Sequence, residues 1–302
     1  MHSLLIAATF TAYISTVVSG YSAGSDLFPE EGKVFYADLM SDDNYGRHYV
    51  KLGIGSNTEV DTDMKLWVST TESELGVITI DGVVNCNVLT KYDYINAHPK
   101  GEIYKGQLTD VFNDTTMTYT KFEGVIWKDN VALTYDKTKQ FTLKDIQVFG
   151  INNVSTENFT SAYSGYLGLA PFKSSPANKD KNFLWQLRNK GYIDYLAFAL
   201  YTKEDKSAHS TIQFGGYDSN GLQKNEHLTV LRTVDDKSWA VWGEDIQIGD
   251  WFLSKKLKGN KRKVLIEPQM PYMHVPSDDF DAIWFVDIGS YFCQKLIEGN
   301  SR

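Results

Sequence analysis

Short apolar or alternating runs, each broken by a cluster of Gly, Asn or Asp, recur along the 302-residue chain, and that rhythm limits its fold more than any other feature. "HYVKLGIG" (48–55), "KLWVST" (65–70), "GVIWKDNVAL" (124–133), "FTLKDIQVFGI" (141–151), "YLAFALY" (195–201), "STIQFGGY" (210–217), "WAVWGEDIQIG" (239–249) and "KVLIE" (263–267) all read as strands. Helical spacing is confined to two stretches. "KNFLWQLRNKG" (181–191) carries Phe183, Leu184 and Leu187, with Gly191 as its stop, and "SDDFDAIWFVDI" (277–288) is capped by Ser277 after Pro276. Many strands with few, short helices predict an antiparallel all-β architecture.

Composition, 42% hydrophobic and 23% charged, provides for a sizeable core. A formal charge of −8 argues against a phosphate-backbone binder, so no nucleic-acid partner is expected. Residues 1–20, "MHSLLIAATFTAYISTVVSG", are apolar and end in small residues, which predicts a signal peptide; the near-absence of a charged start leaves an uncleaved anchor as the alternative. No later run is long and apolar enough to span a bilayer, so no membrane span is expected after the signal peptide. Sequons at Asn113, Asn153 and Asn158 are the expected glycosylation sites and fit a secreted protein or one in an endomembrane, lysosome-like lumen. Cys86 and Cys293 allow one disulfide at most, and two unpaired thiols are the expectation. The six histidines show no ligand spacing, and no phosphate loop or dinucleotide fingerprint occurs, so neither metal nor cofactor is expected. The basic run "KKLKGNKRK" (255–263) reads as a charged hairpin turn in preference to a polyanion patch.

Several of these runs together resemble the pepsin-like aspartic proteases. "YVKLGIGS" (49–56) is similar to the family's first N-lobe strand, and "LWV" (66–68) to the apolar tripeptide that follows its first catalytic loop. "FEGVIWKDNVAL" (122–133) resembles the run after the flap. "SGYLGLAP" (164–171), "FLWQLRNKGYIDYLAFALY" (183–201) and "IQFGGYDS" (212–219) are similar, in order and spacing, to later family segments. The resemblance implies an all-β, bilobal pepsin-like fold with few short helices, in which each lobe carries one D-T-G loop to the floor of a cleft. Two carboxylates that close cannot both ionise, which leaves one acid and one base sharing a water.

The chain departs from that pattern where the chemistry should be. Between "GIG" and "LWV" lie the ten residues "SNTEVDTDMK" (56–65), and the resemblance sets Asp61-Thr62-Asp63 on the first D-T-G, with Asp61 as the first carboxylate. An adjacent like charge at Asp63 would upset the protonation state such a dyad needs. On the second loop Glu267 takes the aspartate's place, followed by Pro268, Gln269 and Pro271 where the family has Thr, Gly and Ser. Glutamate's extra methylene shifts its carboxylate by about 1 Å, a misplacement that can cost about a hundredfold in rate, and the prolines lack N–H donors. The flap's Tyr119 survives in "YTKFEG" (119–124), on a shorter hairpin without tip glycines.

These readings divide the chain into a signal peptide (1–20), a short leader (21–47), an N-terminal β lobe (48–201) and a partial C-terminal β lobe (202–302), the second lobe being incomplete. The expected function is that of a secreted aspartic-protease-like protein, catalytically inactive, that retains peptide or protein binding, with a candidate partner covering the incomplete lobe. The alternatives are an active endopeptidase working at acidic pH through Asp61 and Glu267, and a truncated fragment of such a protease.

Overall fold

The computed structural model describes residues 4–5, 32–42, 47–55, 64–79, 102–110, 118–136, 139–154, 163–171, 180–202, 210–218, 231–235, 238–243, 247–248, 251–252 and 261–268. Their strands are β1 (Leu4–Leu5), β2 (Phe35–Asp42), β3 (Arg47–Ile54), β4 (Lys65–Ser69), β5 (Leu75–Ile78), β6 (Glu102–Asp110), β7 (Thr118–Tyr135), β8 (Lys139–Val154), β9 (Gly165–Gly168), β10 (Phe198–Tyr201), β11 (Ser210–Phe214), β12 (Leu231–Arg232), β13 (Ala240–Gly243), β14 (Gln247–Ile248), β15 (Trp251–Phe252) and β16 (Arg262–Leu265). The helix α1 (Phe183–Asn189) falls inside the stretch with helical spacing. The second expected helix, 277–288, lies outside the described residues, as do Cys86 and Cys293. The protein is all-β in class.

Ten strands form one sheet in the order β10-β11-β2-β3-β4-β9-β5-β8-β7-β6, and an added pairing of β3 with β7 closes the middle of it into a ring. The sheet extends past both expected lobe boundaries. β2 lies within the stretch read as a leader yet buries Phe35, Ala37 and Leu39 and pairs with β3 and β11, while β11 joins the same sheet from beyond residue 201. Shorter two-stranded pairs, β1 with β12, β13 with β16 and β14 with β15, complete the described elements.

Period-two alternation decides which way each side chain faces. In β4, Leu66 and Val68 enter the main core with Val50, Leu75, Val77, Leu133, Val148 and Leu167, whereas Trp67 between them joins a second cluster with Ile78, Phe149, Ile151, Tyr163 and Tyr166. Phe35 stacks between Phe141 and Phe214 at centroid distances of 4.5 and 4.7 Å, tying β2 to β8 and β11. Such stacked pairs add to the burial of the rings themselves. α1 seats Phe183, Leu184 and Leu187 in the main core and is capped by Asn182, whose Oδ1 accepts from Trp185 N at 2.8 Å.

Placement of β9 sets up the candidate site. It runs parallel to β4 and antiparallel to β5, so it lies between two strands that follow one another in sequence. The connection Thr70–Glu74 therefore has to pass around the end of β9.

Candidate functional site: the floor loop and Glu267

The connection wraps the end of β9 closely. Leu169 N donates to Ser69 O at 2.7 Å, Ala170 N to Glu72 O at 2.7 Å, Gly168 N to Glu74 O at 2.9 Å, and Phe183 N to Ser73 O at 2.7 Å. Gly168 is the residue that permits this approach, since a Cβ there would stand 2.4 Å from Glu74 O and 2.7 Å from Glu72 O. The glycine of "YLGL" (166–169) is thus a packing requirement of the loop it supports.

Inside the loop Ser69 is fully buried, and its Oγ accepts from Thr71 N and Glu72 N, each at 3.2 Å, and lies 3.0 Å from Thr71 Oγ1. Glu74, also buried, accepts from Ser73 N at 3.2 Å and from Ser73 Oγ at 2.7 Å through Oε2. Within the loop, hydroxyl, carboxylate and N–H groups pair with one another.

Against this loop the chain brings Glu267, from almost two hundred residues away. Thr70 N donates to both carboxylate oxygens of Glu267, at 3.1 and 3.3 Å, and the Thr70 hydroxyl donates to Ile266 O at 2.5 Å. Ile266 N donates in turn to Trp239 O at 3.1 Å, and the Trp239 indole N–H donates to Leu169 O at 2.6 Å. These contacts make a closed circuit, Ser69–Leu169–Trp239–Ile266–Thr70, that fixes the end of β16 to the ring of strands. Trp239 is buried and meets Phe198 edge-on at 5.6 Å, so the circuit rests on core packing as well as on hydrogen bonds.

The other expected site residues fall as follows. Asp61, Asn113 and Asn158 lie outside the described residues. Asn153 is exposed near the end of β8, opposite Glu123 of β7. The backbone of Tyr119 pairs with Thr109 at the far end of the β6–β7 hairpin. Within the basic run, Lys263 is ion-paired to Asp235 at 2.8 Å, while the expected turn at Gly259-Asn260 lies outside the described residues. Among the described residues no group of three His, Cys, Asp or Glu side chains could hold a metal ion, and no helix is long and apolar enough to cross a membrane.

Sequence reasoning misses the loop 69–74. It sets L-W-V after the first floor loop, whereas the loop that meets Glu267 follows L-W-V. A signal is present in the hydroxyl and carboxylate run S-T-T-E-S-E after an apolar strand, which mirrors the way V-L-I leads into Glu267.

Comparison with known proteins agrees with this architecture. The chain matches the family model of eukaryotic aspartyl proteases over residues 48–284. No curated protein sequence matches it. Among solved structures it is similar to the crystal structure of aspartic proteinase from Irpex lacteus, with a TM-score of 0.57 and 14% identity, over 83% of this chain and 67% of that one. The family match across residues 48–284, most of the sequence, places the chain in the eukaryotic aspartyl protease family.

Proposed function

We propose that the protein is a secreted or lumenal, glycosylated member of this family that keeps the scaffold but not the protease chemistry, and that it acts by binding a peptide or protein. The observation that carries this reading is the engagement of Glu267. Both of its carboxylate oxygens turn to the backbone N–H of Thr70, and the next residue, Pro268, has no N–H with which to orient a carboxylate. Acid–base work on a shared water needs two carboxyl groups within hydrogen-bond reach of it.

Exposed Asn153 favours a glycosylated surface. Trp242 and Leu265 are 46% and 42% exposed on one face of the two-stranded β13–β16 pair, a surface that suits a covering partner.

The test is proteolysis of an unfolded protein substrate at about pH 3–5, where a family dyad holds its single proton, with and without pepstatin. No pepstatin-sensitive cleavage is expected from the native chain. Cleavage that disappears in Asp61→Asn, Glu72→Gln or Glu267→Gln would identify a working carboxylate and overturn the reading.

A further inference from the structure

We infer that the first floor loop of this chain is Ser69–Glu74 and that Ser69 occupies the place of the first carboxylate, so that the floor presents a hydroxyl facing the carboxylate of Glu267. The inference rests on the proposed loss of protease chemistry and names the residue responsible for it.

The first observation is a correspondence between two halves of the site. In β4, Leu66, Trp67 and Val68 lead into Ser69 and Thr70; at β16, Val264, Leu265 and Ile266 lead into Glu267 and Pro268. These two strand ends touch at matching positions, because the Thr70 hydroxyl, one residue past Ser69, donates to the carbonyl of Ile266, one residue before Glu267. The reciprocal bond would come from residue 268, and proline has neither a hydroxyl nor an N–H to give it. The contact is therefore half of a two-sided clasp.

The second observation is the cradle around Ser69. Two backbone N–H groups converge on its Oγ and a third donor-capable group, Thr71 Oγ1, lies 3.0 Å away. Converging N–H donors of this kind stabilise a charged oxygen acceptor and lower a carboxyl pKa. Here a neutral hydroxyl fills the cradle, and it brings no proton equilibrium in the range where Glu267 titrates.

The third is steric. β9 passes between β4 and β5, and Gly168 is enclosed by the loop's backbone, so the position of Ser69 is fixed by the sheet, and the bonds of Thr70 to Ile266 and Glu267 bring the end of β16 against it.

The experiment is a carboxyl-carbon NMR titration of the full chain with labelled glutamate, the Glu267 signal being assigned by its absence in Glu267→Gln. Ser69→Asp is expected to raise the midpoint of Glu267 by about one pH unit or more, since two adjacent carboxylates cannot both ionise and titrate as a coupled pair. Asp61→Asn in the otherwise native chain is expected to leave the midpoint unchanged. A folded Ser69→Asp with no shift at Glu267 overturns the assignment. So does a fall of about one unit in Asp61→Asn, which would make Asp61 the partner, and this arm decides the question if Ser69→Asp fails to fold. Because the readout is titration, a chain found to cleave protein would sink the proposed function while leaving the identity of the loop to be judged on these midpoints.

Discussion

Replacing Thr70 by valine tests the circuit that fixes Glu267. Valine is close in shape, keeps the backbone N–H that Glu267 accepts, and removes only the hydroxyl that donates to Ile266 O. Thr70 is 1% exposed, so no bulk water stands ready to replace the lost donor. Losing a hydrogen bond to a buried acceptor costs about 1–3 kcal/mol, and the added methyl regains about 0.8 kcal/mol. The expected net destabilisation is about 0.2–2 kcal/mol, read as a lowered urea midpoint with an unchanged slope. Amide exchange localises the effect. The Ile266 N–H, bonded to Trp239 O, should exchange about tenfold faster, while the amides of β3 and β4 change little. A variant as stable as the native chain, with unaltered exchange at Ile266, would refute the view that Thr70 holds the end of β16 in place.

Three further outcomes are expected. Gly168→Ala would drive a Cβ into the carbonyls of Glu72 and Glu74 and should either prevent folding or displace the loop, visible as loss of the Glu267 titration environment and a drop of several °C in Tm. Asn182→Ala would remove both the acceptor for Trp185 N and the donor to Ala170 O, and should cost about 1–3 kcal/mol by denaturant titration. Burial pulls the pKa of His48 below its ordinary value, so as pH falls below about 6.5 the unfolded chain takes up this proton first and stability declines towards the folded pKa. His48→Gln should flatten that part of the stability–pH curve, measured by thermal melts between about pH 7 and 5.

The strands can be read from sequence because each is a local pattern: the alternation in "FTLKDIQVFGI" fixes β8, and the apolar spacing of 181–191 fixes α1 without reference to anything distant. The extent of the leader is harder to read for a related reason. "KVFYADLM" is less distinct as a strand, and its standing in the sheet comes from pairing with β11, more than 170 positions later. The floor loop escapes a sequence reading because nothing local says whether a polar loop lies before or after an apolar tripeptide. Only the insertion of β9 between β4 and β5, and the contact of Thr70 with Glu267 at a separation of 197 residues, bring the loop 69–74 against that carboxylate. Glu267 itself is legible, since the strand V-L-I and the prolines after it stand together in sequence.

The threading of β9 also imposes an order on synthesis and folding. Leu66 pairs with Gly165, and Leu75 with Leu167, so β4 and β5 leave the ribosome about a hundred residues before the strand that joins them. Until then two apolar strands, with Leu66, Trp67, Val68, Leu75 and Val77 all destined for burial, present open edges to whatever is near. Pairings this distant in sequence form slowly, because the loop must be closed before the contact repays it. A nascent chain of this kind therefore depends on shielding in its compartment during the interval, and a change that delays β9, such as a bulkier residue at Gly168, should first be felt as poor yield of folded protein.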